Sequence, residues 1–341
     1  MPTQYHVAVA GATGAVGQEF ITLLEERSFP LASLRLLASA RSKGRSVQFQ
    51  GSTLTVEEMS PDSFTGCDIA FFSAGASRSH EFAPAAVNAG AVVIDNSSAF
   101  RMDPKVPLVI PEINADDLRG HQGIIANPNC STIIALVPLA PLRALGRFRR
   151  VVISTYQAAS GAGAKAMEEL KRQAAAVLAG ETVVPAVLPH QIAFNLFSHN
   201  SPVGSDGYNE EERKMVQESR KILHDPDLRI TAMCIRVPVL RAHAESINVE
   251  FEGSRPSLAA VREILFHAPG VELVDDVEHN RFPMPIEATG HDAVLVGRIR
   301  DDLSSSNAVD MFVCGDQLLK GAALNGFQIA LALIERGLVR Q

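Results

Sequence analysis

The chain has 341 residues, long for a single core, so two domains are the default expectation and one large domain the alternative. Its 46% hydrophobic and 20% charged residues are ordinary for a soluble globular protein, and a net charge of -7 argues against a broad nucleic-acid surface. No apolar run reaches the roughly 18 residues of a membrane span, the N-terminus "MPTQYHVAVAGATG" has no secretion-signal pattern, and four scattered cysteines without a CxxC pair fit a reducing cytoplasm better than a zinc site or a disulfide framework.

Tyr5 to Ala10, "YHVAVA", predicts a short buried strand. It runs through "GATGAVG" into "QEFITLLEER", where Phe20, Ile21, Leu23 and Leu24 can share one helical face. Further strands are predicted at 34–38, 69–73 and 92–95, with a helix over 81–89, so the first 125 residues or so read as a mostly parallel α/β sheet. After Cys130 the pattern changes. A strand is predicted over 151–156, a long helix over 163–178, then strands over 230–237, 247–251, 293–299 and 309–313. With few helices between them, an antiparallel or mixed sheet with helices on one face is expected. The terminal "DQLLKGAALNGFQIALALIERGL" predicts an apolar helix that returns to the first domain.

The first turn places Ala12, Thr13, Ala15 and Val16 between Gly11, Gly14 and Gly17, a GxxGxxG spacing rather than the commoner GxGxxG. Glycines there permit a tight turn, let backbone approach a pyrophosphate and leave N–H groups at a helix start facing negative charge. Three glycines alone would also make a plain turn; their position after the first strand favours a dinucleotide. The second strand continues into "ASARSKGRS", with no acid to accept from a ribose hydroxyl. Arg41, Ser42, Lys43 and Arg45 suit a 2′-phosphate, hence NADP, although the same residues would make a solvated basic loop.

Cys67, Cys234 and Cys314 read as small buried hydrophobes. Cys130, in "NPNCSTI", differs, because polar residues flank it and an apolar segment follows. A helix starting there would favour the thiolate through its dipole and free N–H groups.

The segments "GATGAVG", "DNSSAFR", "VPLVIPEIN", "ANPNCSTI", "STYQAASGAG", "EERK", "RVPVLRAHAES", "VGRIR" and "LLKGAALN" occur in that order from about residue 5 to residue 338. Together they resemble the bacterial aspartate-semialdehyde dehydrogenases. The resemblance implies NADPH-dependent reductive dephosphorylation of 4-phospho-L-aspartate to L-aspartate 4-semialdehyde, on the route to lysine, threonine, methionine and diaminopimelate. It implies a Rossmann-like NADP-binding domain over 1–129 with about 317–341, an α+β catalytic and dimerisation domain over 130–316, and a cytoplasmic homodimer.

By the same resemblance Cys130 forms an acyl-thioester, His243 in "LRAHAES" transfers protons with a near-neutral pKa, and Gln157 orients the site. Asn129 is implied beside substrate and phosphate, though turn geometry accounts for it nearly as well. Arg101 and Lys214 are implied to bind phosphate, Arg236 the α-carboxylate, and Glu211 the ammonium. Read without the resemblance, Glu211 and Lys214 make an ordinary surface ion pair. Ser160 and Gly161 correspond to the loop near the nicotinamide. Gln317 corresponds to a late cofactor contact where relatives usually carry asparagine. The segment before Ile192 is shorter than its counterpart in many relatives. An N-acetyl-γ-glutamyl-phosphate reductase-type enzyme and a catalytically silent NADP-binding paralogue are the competing readings.

Overall fold

β1 (Tyr5–Ala10) is buried at every position but one, as befits a strand with both faces covered. It leads into α1 (Ala15–Glu26), whose buried face carries Phe20, Ile21, Leu23 and Leu24. β2 (Leu31–Ala38), the hairpin of β3 (Ser46–Phe49) and β4 (Ser52–Thr55), β5 (Glu57–Glu58), β6 (Ile69–Phe72), α2 (Ala76–Asn88), β7 (Val92–Asp95), α3 (Pro111–Asn114) and β8 (Ile124–Ala126) follow. Six strands pair in the order β5-β2-β1-β6-β7-β8, all parallel. β1 lies where the winding direction reverses, so the glycine turn opens at the carboxyl ends of the strands, the usual ligand position of such sheets.

α4 (Cys130–Leu142) is apolar nearly all round and correspondingly buried. It is followed by β9 (Phe148–Gln157), α5 (Ala164–Leu178), β10 (Phe197–Ser198), α6 (Glu210–Ile222), β11 (Ile230–Arg236), β12 (His243–Phe251), α7 (Leu258–Phe266), β13 (Val271–Leu273), α8 (Pro285–Ala288), β14 (Val294–Asp301) and β15 (Ala308–Gly315). Seven strands form a mixed sheet in the order β10-β11-β9-β12-β15-β14-β13. β11 runs parallel to β9, and β12 antiparallel to both β9 and β15.

The computed structural model describes residues 4–339. It divides the chain into two units, one made of the residues up to Asn129 together with those from Ala322 onward, the other of Cys130–Gly321. The last helix, α9 (Leu324–Glu335), belongs to the first unit and packs on α1 and β7. Gly326 permits that packing, since a Cβ there would lie 2.8 Å from the Phe20 ring.

Several boundaries differ from the sequence reading, and three of them bear on the site and the packing of the units. The terminal helix opens with a π-helical turn over Leu319–Ala323. α2 starts at Ala76, because its first turn is polar and carries no apolar period. β12 starts at His243, which places that histidine in the sheet.

Between α5 and β10 the chain is pinned by two side chains one turn apart. The buried Glu169 carboxylate accepts the backbone N–H groups of Ala186, Val187 and Leu188. Burial opposes its ionisation, but these donors and Arg172 hold it below the usual carboxylate range. Gln173 Oε1 accepts from Ile192 at 2.8 Å and Ala193 at 3.3 Å.

Candidate active site

Cys130 is the first residue of α4 and is only partly buried, whereas Cys67, Cys234 and Cys314 are buried. Burial raises the pKa of each of those three thiols. Cys130 has instead a helix start and an electrostatic partner in Arg236, both favouring thiolate. Gly321 lets the chain pass close by, since a Cβ there would come within 3.0 Å of Cys130 Cβ.

The sheet brings three further side chains to the same unit's polar end. β9 ends at Gln157 and β11 at Arg236, which are register partners, and the antiparallel β12 begins beside them at His243. Gln157 donates to Ser131 Oγ of α4 at 2.8 Å and to Glu211 Oε1 of α6 at 3.4 Å. Glu211 also accepts from Lys214 Nζ at 3.4 Å. The pair is no surface pair, because Glu211 is buried. A capping box places it: Asn209 Oδ1 accepts from Glu212 N–H, and the Glu212 carboxylate accepts from Asn209 N–H. The other Glu212 oxygen accepts the Cys234 N–H of β11 at 3.0 Å, which ties the helix start to the strand carrying Arg236.

Arg236 is 1% exposed. Its Nη1 donates to Ala158 O at 2.7 Å, its Nη2 meets His199 Nε2 at 2.9 Å, and its Nε has no partner among the described residues. His243 is fully buried, with Nδ1 accepting from Ala158 N–H at 3.0 Å and Nε2 without a partner among the described residues. A backbone N–H can only donate, so the neutral ring carries its proton on Nε2. Burial first, then Arg236 and His199 against the opposing Glu211, lowers the His243 pKa to about 3. The near-neutral value expected from sequence is therefore corrected, since burial leaves the ring neutral. Two unpartnered buried donors, Arg236 Nε and His243 Nε2, thus remain for a ligand. Gly161 gives them room, since a Cβ there would lie 2.9 Å from Arg236 Nη1 and 3.1 Å from His243 Nε2.

The turn before β12 is held from behind. Ala242 has a left-handed φ of 69°, and its N–H donates to Gln317 Oε1 at 2.8 Å. Gln317 Nε2 donates to Ser160 Oγ, so both ends of this buried amide are engaged within the unit. That arrangement suits support of Ser160 and the His243 turn.

In the first unit, Gly11 has a φ of 91°, and a Cβ there would lie 2.7 Å from the Ser73 backbone. A Cβ on Gly17 would lie 2.2 Å from Gly11 O. Glycine is therefore required at both positions by close backbone packing, which holds the strand–turn–helix geometry that a dinucleotide pyrophosphate approaches. Thr13 donates to the buried Ser42 at 3.3 Å, while Arg41 stays exposed and Lys43 pairs with Glu58 at 3.5 Å. Arg101 is buried, its Nε donating to Asn127 O and its Nη2 to Asn96 O, each at 2.9 Å. Asn129 is buried two residues beyond Asn127. Asn127 Nδ2 donates to Asn96 Oδ1 and to Ala322 O, and its Oδ1 accepts from Asn325. Sequence reasoning missed Asn127, Asn325 and His199. The first two stand inside quoted motifs; His199 lies in an irregular polar stretch with no local signal.

Residues 6–121 match the semialdehyde dehydrogenase NAD binding domain, and residues 139–320 the semialdehyde dehydrogenase dimerisation domain. Over 99% of its length the chain is 54% identical to the aspartate-semialdehyde dehydrogenase of Synechocystis sp., covering 99% of that protein. The chain belongs to the aspartate-semialdehyde dehydrogenase family. Among solved aspartate-semialdehyde dehydrogenases, enzyme II of Vibrio cholerae complexed with ASA is 41% identical, with a TM-score of 0.94 over 98% of this chain and 99% of that one. The Candida albicans aspartate-semialdehyde dehydrogenase with NADP is 26% identical, with a TM-score of 0.77 over 99% and 100%.

Proposed function

We propose that this chain converts 4-phospho-L-aspartate reversibly to L-aspartate 4-semialdehyde and inorganic phosphate, with NADPH as reductant and a thioester on Cys130 as intermediate. The observation that carries this reading is the pair of unpartnered buried donors, Arg236 Nε and His243 Nε2, in the unit whose first residue is Cys130.

The Cys130 thiolate attacks the acyl carbon, the carbon–sulfur bond forms, and phosphate leaves with the electron pair of the carbon–oxygen bond. His243 donates a hydrogen bond from Nε2–H to the carbonyl oxygen as it gains charge, and does so again when the thioester is reduced. Expulsion of the Cys130 thiolate from the reduced adduct yields the aldehyde and regenerates the nucleophile. Arg236 takes the α-carboxylate, Glu211 the ammonium, and Gln157 holds Glu211 and Ser131 in place. Lys214 and Arg101 are assigned to the phosphate, Asn129 to its vicinity. NADPH, when bound, supplies the hydride. The 11–17 turn would take its pyrophosphate, Arg41 and Ser42 its 2′-phosphate, and Ser160 and Gly161 its nicotinamide end, with Gln317 behind them.

A homodimer through the second unit completes the proposal. Tyr156 and Met233 alternate with Gln157 and Cys234, which face α4 and α6, so they point from the opposite sheet face and are exposed. Phosphate-dependent reduction of NADP with L-aspartate 4-semialdehyde is the expected activity. Turnover only with an N-acetylated glutamate semialdehyde, or cofactor binding without turnover, would overturn the assignment.

A further inference from the structure

His199 follows directly on β10, the short strand paired antiparallel with β11, and its own N–H donates to Cys234 O at 2.8 Å. The backbone thus delivers its ring to the guanidinium of Arg236, with Nε2 2.9 Å from Nη2. Arginine offers donors only, so Nε2 must present its lone pair. The neutral ring then carries its proton on Nδ1, which faces Ser201 Oγ at 3.1 Å. The Ser201 N–H is also aimed at Nδ1, at 3.2 Å, but of the two competing donors the charged guanidinium is the closer and the stronger, at 2.9 Å, and it takes the lone pair. Ser201 Oγ accepts in turn from Glu211 N–H at 3.2 Å. One run of contacts therefore joins the start of α6, Ser201, His199 and Arg236, and continues through Ala158 to His243.

The chemical type of this acceptor matters. A carboxylate at position 199 would orient Arg236 equally well, but it would neutralise the guanidinium and compete with an anionic ligand. An imidazole held neutral orients the cation without itself compensating the charge. Burial, together with Arg236 and Lys214 and against Glu211, lowers the His199 pKa to about 4.

We propose that His199 is a positioning residue for Arg236, a neutral acceptor that fixes the plane in which the guanidinium meets the substrate α-carboxylate without itself compensating the charge used in that contact. The inference rests on the reading of Arg236 as the carboxylate site.

The test is a substitution series read in the direction that consumes phosphate, on the full-length protein. His199→Gln keeps a neutral acceptor and is expected to stay within about threefold of the parent in KM for the semialdehyde. His199→Leu removes the ring acceptor, leaves Arg236 Nη2 only the longer 3.4 Å contact to Asn200 Oδ1, and is expected to raise that KM about tenfold, with the KM for inorganic phosphate within twofold. His199→Glu, isosteric with the glutamine variant, is expected to lose about a hundredfold or more in kcat/KM, because it neutralises Arg236. A purely structural role would treat glutamine and glutamate alike, and equal kinetics for those two overturn the proposal. Equal KM values in the parent and His199→Leu overturn it too. Arg236→Leu is the control. If it leaves the semialdehyde KM unchanged, the reading of Arg236 is wrong and the proposal falls with it. If it raises that KM while the His199 series is flat, only the proposal falls. Thermal midpoints on the same samples separate loss of fold from loss of positioning.

Discussion

Ala158 donates its backbone N–H to Nδ1 of His243 at 3.0 Å and accepts through its carbonyl from Nη1 of Arg236 at 2.7 Å. One peptide segment at the end of β9 therefore sets both the tautomer of the histidine and the position of the cation. Loss of a single oxyanion donor typically costs about a hundred- to a thousandfold in kcat. His243→Asn is expected in that range, with the semialdehyde KM little changed. A raised KM with kcat intact would reassign the residue to ground-state binding.

The lowered histidine pKa values give a stability prediction. His243 titrates at about 3 and His199 at about 4 in the fold, against 6.5 as the ordinary value. Between those limits the unfolded chain binds more protons, so stability rises with pH. The contribution is complete above about pH 6.5 and is lost as pH falls toward 4 and 3. Urea midpoints measured from pH 4 to pH 7 should climb, and His243→Asn should climb less steeply. An unchanged slope would show that the buried ring is not the source.

Cys130→Ala should abolish turnover while the chain still binds NADPH, because the glycine turn and the thiol belong to different units. Intact-mass measurement after a quench with substrate should find the acyl increment on Cys130 in the parent and none in the variant. Near-normal turnover in the variant would rule out a thioester route.

Gly161→Ala tests how closely backbone approaches the paired donors. The added methyl would lie about as near the Arg236 and His243 side chains as their hydrogen-bond partners do, at 2.9 to 3.1 Å. Both rings of contacts are fixed on their other sides, so neither side chain can retreat without breaking its bond to Ala158. A drop of about ten- to a hundredfold in kcat/KM is expected, with a lowered thermal midpoint from the overpacked contact. Parent-like kinetics would mean that the pocket relaxes freely.

Cofactor choice can be read at Arg41. Its side chain is exposed, and Ser42 beside it meets the glycine turn through Thr13. Arg41→Ala should raise the KM for NADPH about tenfold and leave NADH nearly unaffected, as expected for one charged contact to a phosphate. Equal losses with both cofactors would remove Arg41 from the 2′-phosphate site.

The two anion sites should separate kinetically. Arg101→Leu is expected to raise the KM for phosphate most, and Arg236→Leu that for the semialdehyde, each by about one to two orders of magnitude. A two-substrate kinetic matrix on both variants decides it. If the Arg236 variant chiefly weakened phosphate, the division would be reversed.

The α/β order of the first unit was legible because its central strands are short, largely apolar runs and its first turn is marked by glycine. Cys130 stood out from polar flanks and an apolar helix behind it. The burial of Glu211 was not legible, since "NEEERKM" has the composition of an exposed helix start. It is the capping box and the Glu212 bond to Cys234 that turn this face inward. Asn127 and Asn325 are hydrogen-bonded across 198 positions of sequence, a pairing that no local period encodes. His199 is likewise placed by a two-residue edge strand too short to leave a pattern.

Cys130–Gly321 is one continuous stretch, whereas the nucleotide-binding unit is assembled from both sides of it. The entry and exit of that stretch lie together: Gly321 passes against Cys130 within the second unit, and Asn127 is hydrogen-bonded to the carbonyl of Ala322 within the first. Topologically the second unit is an insert closed on itself, which its host meets as a single loop with near-coincident ends. Such a junction tolerates exchange, because a replacement insert need only begin and end at neighbouring points. The proposed nucleophile is the first residue of that insert, so a dinucleotide-binding host could acquire different acyl chemistry by exchanging one contiguous cassette.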